Sequence, residues 1–124
     1  MNVIDATGWL EYFTDGPNAD YYAAAVERLD ELIVPATSIY EVFKRVLQQR
    51  SESEALQAIS VMLQGNVTDM DAGLALSAAR LSVELELSMV DSVMLATAKA
   101  HHARLWSLDT SYQDIHGVKH VEPQ

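Results

Sequence analysis

Ile33-Val34-Pro35-Ala36-Thr37-Ser38-Ile39-Tyr40-Glu41-Val42-Phe43-Lys44-Arg45-Val46-Leu47 changes its hydrophobic period in the middle. Ile33 to Pro35 is a short apolar run that ends at a proline, the pattern of a buried strand. Beyond it, Ile39, Val42, Phe43, Val46 and Leu47 recur at steps of three and four residues, which predicts an amphipathic helix. Thr37 or Ser38 can cap that helix, which should run to about Arg50. The same alternation extends outward in both directions. Asn2-Val3-Ile4-Asp5 is a strand candidate, followed by a helix starting near Thr7 and stopping before Gly16-Pro17. Asn18 can cap a second helix through Leu32. On the other side, Ser51 or Ser53 opens a helix closed by Gly65, and Asn66 to Thr68 reads as a strand. Asp71 caps a helix through about Leu85, and another runs from about Val90 to His102. Leu105 to Leu108 and Val118 to Val121 complete the strands. Strands separated by helices need crossover connections, so the predicted class is α/β with a parallel sheet.

The chain has 124 residues, with 18 Asp+Glu against eight Lys+Arg, a formal charge of −10. Hydrophobic residues make up 49% and charged ones 21%, a globular composition suited to one domain over residues 1–124. Without cysteine there can be no disulfide, thiolate zinc site or cysteine nucleophile. No stretch reads as a signal peptide, and no apolar run approaches a membrane span, so a cytoplasmic location is expected. The negative charge argues against a broad electrostatic grip on nucleic acid.

Most acids fall on helix faces that should be solvated. Four stand elsewhere. Asp5 and Asp109 each follow a predicted strand, and in an open parallel sheet ligands sit beyond the carboxyl ends of strands. Glu41 lies early in its helix, and Asp91 begins an apolar, Ala-rich one. Taken singly, Asp5 and Asp109 fit turn residues, Asp91 a helix cap and Glu41 an ordinary first-turn acid. Taken together, they can flank one crevice. Converging carboxylates repel unless a cation is present, and a hard oxygen donor set suits Mg²⁺ or Mn²⁺.

These residues carry a resemblance that covers nearly the whole chain. Val3-Ile4-Asp5-Ala6-Thr7, Pro35 to Val42 with Glu41, Met89-Val90-Asp91-Ser92-Val93-Met94-Leu95-Ala96-Thr97-Ala98, and Leu105-Trp106-Ser107-Leu108-Asp109-Thr110-Ser111-Tyr112 occur in that order. In this the chain resembles PIN-domain ribonucleases, specifically the VapC-type toxins of toxin–antitoxin systems. The resemblance implies a three-layer α/β/α sandwich and metal-dependent cleavage of RNA by in-line attack of a metal-activated water. It implies that Asp5, Glu41, Asp91 and Asp109 form the acidic metal site, with Mg²⁺ or Mn²⁺ as the cofactor. Ser107 falls where the family carries a hydroxyl that orients a carboxylate or water, and Thr7 is a similar supporting residue. Many relatives carry a further acid where this chain has Ser111, with Asp114 the nearest substitute.

The family further implies a cognate antitoxin that blocks the site and a homodimer. No histidine is placed as a general base: His101 and His102 end a helix, and His116 and His120 read as surface residues. Lys44 and Arg45 stand three and four residues from Glu41, placed either to pair with acids of their own helix or to contact RNA phosphates. Trp9, Tyr12, Phe13, Tyr21 and Tyr22 read as core. The alternative to a nuclease is a PIN-like module that binds a partner without cutting, motivated by Ser111.

Overall fold

The protein is described from a computed structural model, over residues 1–112 and 114–120, with His120 by its backbone only. Five short strands form one sheet: β1 (Asn2–Ile4), β2 (Leu32–Pro35), β3 (Asn66–Thr68), β4 (Arg104–Ser107) and β5 (Val118–His120). Every pairing is parallel, and the order is β3-β2-β1-β4-β5. Val3 pairs with Ile33 on one side and Leu105 on the other, so the most apolar strands occupy the centre. Val3, Ile4, Leu32, Val34 and Leu105 have no exposed surface, as a sheet covered on both faces demands.

Six helices connect the strands: α1 (Ala6–Phe13) and α2 (Ala19–Val26), α3 (Ala36–Gln49) and α4 (Glu52–Met62), α5 (Ala72–Leu85) and α6 (Met89–Ala100). Each pair packs together. The strand order runs outward from β1 to β3 and then returns past β1 to β4. Right-handed crossovers therefore put α5 and α6 on the face opposite the earlier helices, which is the three-layer arrangement expected. The reversal creates a switch point between β1 and β4, where an open α/β sheet leaves a crevice at the strands' carboxyl ends.

Three boundaries differ from the sequence expectation. Helix α2 ends at Val26, and a 3-10 turn over Leu29–Glu31 leads into β2, which takes Leu32 as its first residue. Helix α3 begins directly after Pro35, with no side-chain cap from Thr37 or Ser38. Proline ends the strand and its fixed φ already suits a helix entry, so no linker is needed. Helix α6 begins at Met89 and is capped by Ser88, whose hydroxyl accepts the Asp91 N–H at 3.2 Å. Asp91 is therefore not the cap. Helix α6 is buried from Ser92 through Ala98, which is why its sequence is apolar all round. Of the last predicted strand, Val121 lies outside the described residues. Trp9 and Tyr22 are buried, and Tyr12, Phe13 and Tyr21 pack partly buried against the core, as expected for aromatics on the first two helices.

Candidate active site

Asp5 leaves β1 and caps α1. Its Oδ1 accepts the Gly8 N–H at 2.7 Å, and its Oδ2 accepts the Ser107 hydroxyl at 2.7 Å. The side chain is only 4% exposed. Ser107, the last residue of β4, is fully buried, and its Oγ also accepts the Asp109 N–H at 2.9 Å. One hydroxyl thus ties together the acids that follow two adjacent strands. Asp109 in turn accepts the Ser111 N–H at 2.9 Å, opening the 3-10 turn Thr110–Tyr112. Asp109 thus takes the turn role foreseen for it, Asp5 is a helix cap where a turn residue was expected, and both roles coexist with a place in the crevice.

Asp5, Thr7, Glu41, Arg45, Ser88, Asp91 and Asp109 line one pocket of about 330 Å³. All four acids singled out from sequence reach it, from four different parts of the chain. Thr7 stands exposed at its mouth. Arg45 Nε lies 3.6 Å from Glu41 Oε2, so ion pairing and a place at the rim occur in the same residue. Lys44 instead lies over the Tyr40 ring, 5.6 Å from its centroid, away from the pocket. Asp114 is exposed, with φ at 67°, and does not line the pocket. His101, His102 and His116 also lie off it.

Two tyrosines beneath the acids escaped the sequence reading. The Tyr112 hydroxyl donates to the Asp91 carbonyl at 3.0 Å and lies close enough to the Asp91 carboxylate to influence it. Tyr22 places its hydroxyl 3.5 Å from Asp5 Oδ1. Both rings are buried, so a spacing argument counts them simply as core. Gly8 lets Tyr22 approach: a Cβ there would run into the Tyr22 ring and lie 2.8 Å from Ile4 Cγ2.

The electrostatics reflect crowding of like charge out of water. Burial pushes the Asp5 carboxyl up from 3.8 to about 6. The Ser107 and Gly8 hydrogen bonds oppose that rise, while the charges of Asp91 and Asp109 add to it. Asp91 is raised too, first by burial and then by Asp109, against the Tyr112 and Ser88 hydrogen bonds and the nearby Arg45. Burial, followed by the Asp91 charge, holds the Tyr112 phenol well above its ordinary range.

The donor set fits a hard divalent cation: four carboxylates, hydroxyls, and no thiolate or imidazole in the pocket. A cation would relieve the repulsion that lifts Asp5. Among the described residues, no three acidic or imidazole groups close on one point as they stand.

The family model for the PIN domain matches residues 3–118. No curated protein matches the chain by sequence. Among solved structures, the chain is similar to a toxin–antitoxin complex from Klebsiella pneumoniae. The TM-score is 0.81 at 21% identity, over 99% of this chain and 100% of that one. VapC20 of Mycobacterium tuberculosis, described as a toxin that cleaves the sarcin–ricin loop, superposes with a TM-score of 0.80 at 14% identity, over 99% and 100% of the two chains. VapBC2 from Rickettsia felis, bound to a fragment of promoter DNA, gives 0.76 at 15% identity, over 98% and 97%. At these identities the structures attest the fold, while the family model spans the chain from β1 into β5 and takes in every acid of the pocket; the chain belongs to the PIN domain family.

Proposed function

We propose that this protein is a metal-dependent endoribonuclease of the toxin type. The observation that carries the reading is the meeting of Asp5, Glu41, Asp91 and Asp109 in one pocket at the sheet's switch point. These four carboxylates would hold Mg²⁺ or Mn²⁺. Such an ion supplies a water nucleophile near neutral pH and offsets charge on the scissile phosphodiester. The chain's own residues do the rest. Ser107 and the Gly8 amide fix the orientation of both Asp5 oxygens. Tyr112 holds Asp91 from below, and Ser107 fixes the backbone from which Asp109 projects. Arg45, 46% exposed at the rim, presents a guanidinium to incoming phosphate while steadying Glu41.

A protein inhibitor of the antitoxin type belongs to the same reading. A groove of about 580 Å³ between α1, α3 and α4 is lined by Leu10, Phe13, Val46, Ala58 and Val61, with Arg50 and Glu54 beside them. An amphipathic helix is the natural occupant of such a groove. A basic inhibitor segment would complement the acidic pocket. The likeness to toxin–antitoxin complexes supports this, and a homodimer and a cytoplasmic setting are part of the proposal.

The test is cleavage of a labelled RNA pool by inhibitor-free protein with Mg²⁺ or Mn²⁺, compared with Asp91→Asn. Cleavage that needs the ion and is lost in the variant is expected. A purified, folded protein that never cuts would favour the partner-binding module instead. Growth arrest on expression, relieved by a neighbouring small gene, would support the inhibitor.

A further inference from the structure

Three of the eight Lys and Arg residues gather far from the carboxylates. Arg28, Arg104 and Lys119, with His102, line a concavity of about 610 Å³ at the amino ends of β1 and β4, beside Asn2 and Trp106. Arg28 has an acid partner, Glu31 at 3.9 Å, but both side chains are at least half exposed, where such a pair is weak. Among the described residues, neither Arg104 nor Lys119 forms an ion pair.

The lysine is held in place. Its Nζ sits 3.9 Å from the centroid of the Trp106 ring and 5.8 Å from that of Tyr21. The Tyr21 hydroxyl donates to the Lys119 carbonyl at 2.7 Å, and Trp106 Nε1 donates to Asn2 Oδ1 at 2.8 Å. The groove therefore presents a fixed ammonium in the same concavity as two guanidiniums. Guanidinium forks match phosphate oxygens in pairs.

Strand β4 runs from this groove to the carboxylate pocket. Arg104 and Trp106 border the groove, and Ser107, the next residue, holds Asp5. Arg104 and Asp109 are five residues apart, a direct separation of at most about 17 Å at about 3.3 Å per residue, which a strand passing over the surface must at least cover. One RNA strand of several nucleotides covers that distance. A repeated phosphate charge suits cations spread along a groove, and it needs such a foothold on a surface of −10 net charge.

We infer that the Arg28–Arg104–Lys119 groove is a second contact for single-stranded RNA, gripping phosphates that flank the segment in the carboxylate pocket. This rests on the ribonuclease reading, so its test measures binding without cleavage. A fluorescein-labelled random-sequence oligoribonucleotide is titrated in EDTA over a range of salt, with anisotropy as the readout. Arg104→Gln/Lys119→Gln should weaken binding roughly tenfold at low salt and flatten the slope of log K against log salt by about 1.4, two phosphates' worth. Should loss of Lys119 disturb Trp106, Arg28→Gln/Arg104→Gln leaves that packing intact and should act in the same direction.

Arg80→Gln/Lys99→Gln removes the same charge outside the groove and should change the slope far less. Equal effects from both pairs, or none from the groove pairs, would overturn the inference. So would polyglutamate competing as well as RNA of equal charge, since the groove would then be a peptide site. Wild-type binding with no cleavage in Mg²⁺ or Mn²⁺ would count against the nuclease reading alone. Cleavage with groove variants that bind RNA normally would count against the groove alone.

Discussion

Asp5 shows how one side chain serves the fold and the site against each other. As a cap it satisfies the Gly8 amide, yet its carboxylate is buried beside two like charges. Because folding raises its pKa from 3.8 to about 6, the folded chain holds this proton more tightly than the unfolded one between those values. Stability without metal should therefore fall as pH rises from about 4 to about 6. Asp5→Asn keeps the cap and removes the charge, so in EDTA at pH 7 it should raise stability by about 1–3 kcal/mol. Urea denaturation at pH 4 and pH 7 checks this, and an identical pH dependence in both proteins would contradict it. Gly8→Ala tests the layer beneath. Its Cβ would meet Tyr22 and Ile4, and overpacking of this kind costs about 1–3 kcal/mol, readable as a lowered Tm. The meeting of the four acids was legible only from the set, because each acid alone is an ordinary turn, cap or first-turn residue. Tyr22 and Tyr112 were not legible, since buried aromatics look alike in sequence whether or not their hydroxyls reach a carboxylate.

Among the elements, α6 carries the most precise placement. Ser88 caps it, so Asp91 falls in the first turn, facing the pocket with Tyr112 behind it. Ser88→Ala should cost about 1 kcal/mol by loss of the cap. It should also slow RNA cleavage, because the variant frees the turn that aims Asp91; thermal melts and cleavage rates on the same preparation check both. Sequence period predicted all five strands and six helices, since strand and helix patterns alternate without ambiguity from Ile33 onward. It extended α2 too far because no Gly or Pro marks the stop after Val26, where the chain breaks at Arg28 with φ −99° and ψ 68°. It left Asp91 open as a cap of α6, where Ser88 is the cap, because both are good capping residues.

Across the whole molecule, two clusters of opposite charge stand at opposite ends of the central strands. The carboxyl ends of the strands present four acids, and the amino ends of β1 and β4 gather three of the scarce cations. Net charge alone read this as hostile to RNA, because composition averages over positions that the parallel sheet separates. The parallel α/β class followed from the alternation of strands and helices, the three layers were implied by the family resemblance, and the strand order that sets the switch point was not legible. The basic groove did not, because Arg28, Arg104 and Lys119 are distant in sequence and meet only through the pairing of β4 with β5 and the packing of α2. As proposed, the carboxylate pocket cuts RNA with a divalent ion. The deciding experiment quantifies cleavage of labelled RNA in Mg²⁺ or Mn²⁺ by the wild type, Asp5→Asn and Asp91→Asn, with folding verified for each. Cleavage by the wild type alone, abolished by EDTA, is the predicted result; equal cleavage by all three proteins, or by none, would contradict it.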